Sequence, residues 1–90
     1  MSSDEFKTLQ EIIKRLTPKE KRVLEYMIRN ISVGEIIAIR ELRSLYRIED
    51  PEMILARLIE LGLIERGLAC YNLSPIVKKA IKEHKIKLLR

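Results

Sequence analysis

The run Asp50-Pro51-Glu52-Met53-Ile54-Leu55-Ala56-Arg57-Leu58-Ile59-Glu60-Leu61-Gly62-Leu63-Ile64-Glu65-Arg66-Gly67 limits the fold of this chain more than any other stretch. Asp50 stands where an N-cap belongs, and Pro51 takes the first helical position, where a missing N–H costs nothing. At about 100° per residue, Ile54, Leu55, Leu58 and Leu61 fall on one face, which must be the core face. Glu52, Met53, Ala56, Arg57 and Glu60 point the other way. Gly62 ends the helix, and Leu63 and Ile64 open an extended run.

Caps and periods place the other elements. Ser2 with Glu5 fits a capping box, and Phe6, Leu9, Ile12, Ile13 and Leu16 line one side of the helix that follows. Thr17-Pro18-Lys19-Glu20 repeats that signal, and the second helix buries Val23, Leu24, Met27 and Ile28 before stopping near Asn30. Ser32-Val33-Gly34 reads as a turn and Glu35-Ile36-Ile37-Ala38 as a short strand. Ile39 to Tyr46 reads as a short helix with Leu42 and Leu45 inward, followed by a turn at Arg47 to Glu49. Leu63 to Arg66 and Ala69 to Leu73 pair as a hairpin around Gly67. Ser74-Pro75 caps a last helix running to about Leu89. The expected order is ααβααββα, a mainly α fold with a small β-hairpin (α+β).

Leu55-x-x-Leu58-x-x-Leu61-Gly62-Leu63-Ile64 is similar to the end of the recognition helix and first wing strand of many prokaryotic regulators. From about Thr17 to Leu73 the chain resembles a winged helix-turn-helix domain, of the kind found in small prokaryotic and archaeal DNA-associated proteins. The resemblance implies that Gly62 is left-handed, that the outward side of the Pro51–Gly62 helix enters a major groove, and that the wing meets the phosphate backbone. The chain then divides into an amino-terminal amphipathic helix (1–16), a winged-helix core (17–74) and a basic amphipathic helix (75–90) within one domain.

Charge placement opposes the simplest form of that implication. The net charge is +5, and residues 75–90 carry six basic side chains against Glu83 alone, so residues 1–74 are balanced. Within residues 35–66, five arginines face seven acids. Arg57 has the chemistry to read guanine and Glu52 to accept from a cytosine amino group. Asp50, Glu52 and Glu60 nevertheless repel phosphate, and Asp50 and Glu52 have a simpler role at the positive end of the helix dipole. Arg40, Arg43 and Arg47 recur at three and four residues on or just after the preceding helix, which crosses the backbone in the family. They form either a phosphate clamp or a solvated face paired with Glu41 and Glu49.

The wing offers little charge. Arg66 is its one cation, Leu68 near the tip is either buried or free for a partner, and Tyr71 is a core-edge ring or a phosphate donor. Cys70 reads as a small buried apolar residue. In the last helix Ile76, Val77, Ala80, Ile81, His84 and Leu88 form one stripe and Lys78, Lys79, Lys82 and Lys85 the other. Ile86 and Leu89 fall among the lysines, where a second chain or a frayed end explains them better than the core. By analogy with regulators of this fold, the terminal helices are expected to form a homodimer.

Composition excludes several classes. Apolar residues make up 47% of the chain and charged ones 34%, which fits a packed globule and not a disordered tail. Abundant Leu, Ile, Lys, Arg and Glu suit a thermophile, archaeal source. One cysteine and the lack of an apolar run of roughly 18 residues point to a cytoplasmic protein without a membrane span. One His and one Cys, with no nucleophile motif, glycine-rich phosphate loop or ligand set, argue against catalysis, a metal or a cofactor. Two functions remain. The first is a duplex-DNA-binding protein, such as a dimeric transcription regulator, contacting DNA through Arg40, Arg43, Arg47, Arg57, Arg66, Lys78, Lys79 and Lys82. The alternative is a protein-docking accessory subunit of a DNA polymerase, RNA polymerase or similar complex, docking through Glu52, Met53, Glu60, Leu68, Ile86 and Leu89.

Overall fold

The computed structural model describes residues 3–83. Five helices and three strands follow in the order α1 (Ser3–Lys14), α2 (Pro18–Asn30), β1 (Ser32–Gly34), α3 (Glu35–Ser44), α4 (Pro51–Glu60), β2 (Ile64–Gly67), β3 (Cys70–Leu73) and α5 (Pro75–Lys82). This is the expected ααβααββα order, and the mainly helical α+β architecture is consistent with a winged helix. Expectations for Ser2, His84, Lys85, Ile86, Leu88 and Leu89 lie outside the described residues.

Local chemistry sets the helix starts. The Thr17 hydroxyl accepts from the Glu20 N–H at 3.1 Å, and Glu20 Oε1 accepts from the Thr17 N–H at 2.9 Å, a complete capping box before Pro18. Asp50 stands at the N-cap of α4 but makes no side-chain cap bond; its carboxylate lies 4.0 Å from Lys19 Nζ instead. Ser74 likewise makes no cap bond to α5, and its hydroxyl is buried without a partner among the described residues.

Two expectations about the middle of the chain are corrected. The strand is Ser32–Gly34, and Glu35 to Ala38 is the first turn of a helix. The β-branched Ile36 and Ile37 favour a strand locally, but Ala38 and Leu42, four residues apart, are both fully buried and hold this segment in helical register. Ser32 to Gly34 takes the free edge of β3 in the register Ser32↔Asn72, Val33↔Tyr71, Gly34↔Cys70. Leu45, expected inside, follows the end of α3 and is 71% exposed. Ile48 fills the core in its place.

The sheet order is β1-β3-β2, both pairs antiparallel, so β3 is central. Gly62 has φ 79°, the left-handed conformation that turns α4 into the wing. The core joins Val23, Leu24 and Met27 of α2, Leu42 of α3, Leu55 and Leu58 of α4, then Leu63, Ile64, Leu73 and Val77. Phe6, Leu9, Ile13 and Leu16 of the α1 region are buried in the same cluster. The amino-terminal apolar face is thus used within this chain, leaving little of it for the dimer contact expected by analogy.

Candidate functional site

The outward face of α4 is made by the same period that builds its core face. Ile54, Leu55 and Leu58 are buried, while Glu52, Met53, Ala56, Arg57 and Glu60 are exposed, as the spacing predicts. Arg57, the one cation of this helix, is held from two sides. Its Nε lies 3.9 Å from Glu20 Oε2 on α2, and its Nη1 lies 3.6 Å from Glu60 Oε1 one turn on. Glu52 sits 3.4 Å from the Arg43 guanidinium of α3. Each pair leaves its arginine exposed to water and is individually weak, yet together they offset the positive charge that a phosphate backbone would meet.

The other arginines divide. Arg66 of the wing donates to the Glu35 carboxylate at the start of α3, and its guanidinium lies 5.7 Å from the centre of the Tyr71 ring. Tyr71 is buried, in line with the core-edge reading, and burial, reinforced by Glu35, raises its pKa. Arg40 and Arg47 form no ion pair among the described residues. The helical phase linking Arg40 to Arg43 does not reach Arg47, because α3 ends at Ser44 and Arg47 turns to φ 56°. Glu41, which the solvated-face alternative pairs with the arginines, instead accepts the Tyr26 hydroxyl at 2.6 Å. Lys78 and Lys82 are exposed and Lys79 half-buried, all carried by α5.

Apolar exposure extends beyond Met53 of α4. Ile36 is 73% exposed, Met53 69% and Leu68 at the wing tip 97%. A groove along α3 is lined by Ile36, Ile39, Arg40, Arg43 and Ser44. A second depression is lined by Gly34, Glu35, Ile36, Ile37 and Ala69 of the wing loop. Ile36 belongs to both, so they form one strip from the wing to Arg43. The Glu35 N–H donates to the Ala69 carbonyl at 3.0 Å and pins the wing loop against the helix start. Cys70, expected to be buried, is half-buried beside it, because Gly67 opposite presents no side chain to cover it.

Sequence reasoning missed Ile36 and Ile37 because it read their segment as a strand, and it began the helix at Ile39 without assigning that residue a face. The Ala38/Leu42 pair was the available signal: a helix phased on it turns Ile36, Arg40 and Arg43 outward together at i, i+4 and i+7.

A small helical domain with a three-stranded sheet, an ion-paired α4 face and an adjoining apolar strip is what the geometry defines. Comparison with known families is more specific. The family model for PolB1 Binding Protein 2 matches residues 17–79, from the Thr17 cap through the wing and into α5. The chain belongs to this family. No curated protein matches it.

Proposed function

We propose that the chain is a non-catalytic accessory subunit that docks on PolB1, the DNA polymerase for which its family is named. The family match supports this alternative over the transcription-regulator reading. The observation that carries it structurally is the state of α4: its single cation lies between Glu20 and Glu60, and Glu52 engages Arg43. A helix presenting paired charges and an exposed Met53 suits a protein surface better than a phosphate backbone.

The test is direct mixing of purified chain and purified PolB1, followed by size-exclusion chromatography with light scattering. A stoichiometric complex is expected, and two separate peaks at micromolar concentration would overturn the proposal. Duplex binding through Arg40, Arg47 and the α5 lysines is the competing reading, and a salt titration on duplex DNA tests it. Affinity that stays negligible at moderate salt favours docking; tight, sequence-dependent binding favours the regulator.

A further inference from the structure

We propose that the strip along α3 receives an acidic segment of the polymerase anchored by apolar side chains. The inference rests on the reading that the chain docks on PolB1, and it adds the place and the chemistry. Ile36 and Ile39 supply an apolar floor, and Arg40 and Arg43 stand one turn apart along its rim. A floor of this kind takes leucine-like or aromatic anchors, since an exposed isoleucine gains by leaving water and has nothing to gain from a phosphodiester. The Arg40–Arg43 end of the rim supplies positive charge. Arg40 has no ion pair among the described residues, and the solvated Arg43–Glu52 contact of 3.4 Å is weak enough to be exchanged for a better placed carboxylate. Guanidinium groups bind carboxylates in a planar, two-pronged geometry and are enriched at the centres of protein interfaces. Phosphate would be drawn by the same arginines, but Glu35 and Glu52 flank the strip and repel a continuous polyanion. They interfere less with a segment whose carboxylates are few and spaced.

At the opposite end the wing loop closes the strip. Ala69 lines it, and the Glu35–Ala69 backbone bond together with the Arg66–Glu35 contact fixes its position. The occupant therefore lies along α3 with its acidic end beside Arg40 and Arg43 and its apolar end toward the wing.

Four purified variants test this against intact PolB1 by calorimetry or biolayer interferometry: Arg40→Glu/Arg43→Glu, Arg40→Lys/Arg43→Lys, Ile36→Ser, and Lys78→Glu/Lys82→Glu as a charge-matched control on α5. All these side chains are exposed, and thermal melts establish that each variant is folded. The expected result is a loss of affinity on the order of tenfold or more for the Glu pair and for Ile36→Ser. The lysine pair should keep most of the binding, and the α5 control should lose little. Equal losses from the α5 control and the groove reversal would reduce the effect to net charge and overturn the inference. If wild type binds PolB1 and the groove variants bind as tightly, the inference falls while the accessory-subunit reading stands. If wild type does not bind PolB1, both fall. A duplex-binding activity lost in Arg40→Glu/Arg43→Glu, with PolB1 affinity unchanged, would assign the arginines to phosphate and likewise overturn it.

Discussion

Arg57 and Glu20 meet across the α2–α4 interface, Nε to Oε2 at 3.9 Å, while the other oxygen of the same carboxylate closes the capping box on Thr17. One side chain thus starts a helix and neutralises the cation of the helix packed against it. The pairing carries a consequence for DNA. Glu20→Gln keeps a residue suited to the capping box but removes the charge. Combined with Glu60→Gln, it leaves Arg57 unpaired on the outward face. Duplex affinity at low salt, read by fluorescence anisotropy, is expected to rise above wild type with a steeper salt slope. An unchanged affinity would mean that the carboxylates are not what keeps α4 from phosphate.

The two hydroxyl caps predict opposite outcomes. Thr17→Ala removes a made bond and should cost about 1 kcal/mol in urea unfolding, with the slope unchanged. Ser74→Ala removes a buried hydroxyl that has no partner among the described residues, and should leave stability unchanged or raise it. A loss at Ser74 equal to that at Thr17 would show a bond the geometry does not contain.

Two positive-φ positions form a second contrast. At Gly62, φ 79°, an added Cβ meets nothing within 4 Å, so the cost of Gly62→Ala is backbone strain alone, about 1–2 kcal/mol. Ile31 holds φ 63° and ψ −54° at the end of α2, a conformation that a β-branched residue resists. Ile31→Gly is expected to be neutral or to raise the unfolding midpoint despite glycine's extra freedom in the unfolded chain. A clear loss of stability would place the value of Ile31 in its packing.

Alkaline pH should expose the Tyr26–Glu41 bond. Burial, then the hydrogen bond and negative charge of Glu41, pushes the Tyr26 phenol well above its ordinary value. The folded chain therefore holds a proton that the unfolded chain releases near pH 10. This contribution is complete below about pH 10 and is lost as pH rises from there toward the folded pKa. Tyr26→Phe should lower stability at neutral pH by about 1 kcal/mol and flatten the alkaline decline. The raised pKa of Tyr71 leaves a residual slope in that variant. An alkaline decline as steep as in wild type would remove Tyr26 from the account.

The parts legible from sequence were those with a local cause. Thr17-Pro18-x-Glu20 specified its cap in four residues, and the Leu55/Leu58 spacing with Gly62 specified α4 and its exit. Ser32 to Gly34 was not legible as a strand, because its pairing depends on an edge that β3 offers some forty residues on, and placing the strand at Glu35 to Ala38 instead overrode the helical Ala38/Leu42 spacing. Misreading that segment concealed Ile36 and the strip it lines. Polar partners likewise lay outside local reach: Arg66 finds Glu35, Arg57 finds Glu20 and Tyr26 finds Glu41, each across an interface that only the fold creates.

The central position of β3 has a kinetic and entropic corollary. A hairpin paired only with itself would hang from the domain as a flap, to be immobilised at each encounter. Here β1 grips its far side, the Leu73 N–H donates to the Ile31 carbonyl at 2.7 Å, and the Ser74 N–H to the Leu63 carbonyl at 3.1 Å. Amide exchange in the wing should then follow opening of the whole molecule rather than local fraying. A partner meets a template that is already rigid, and little of its binding free energy is lost to ordering this side of the contact.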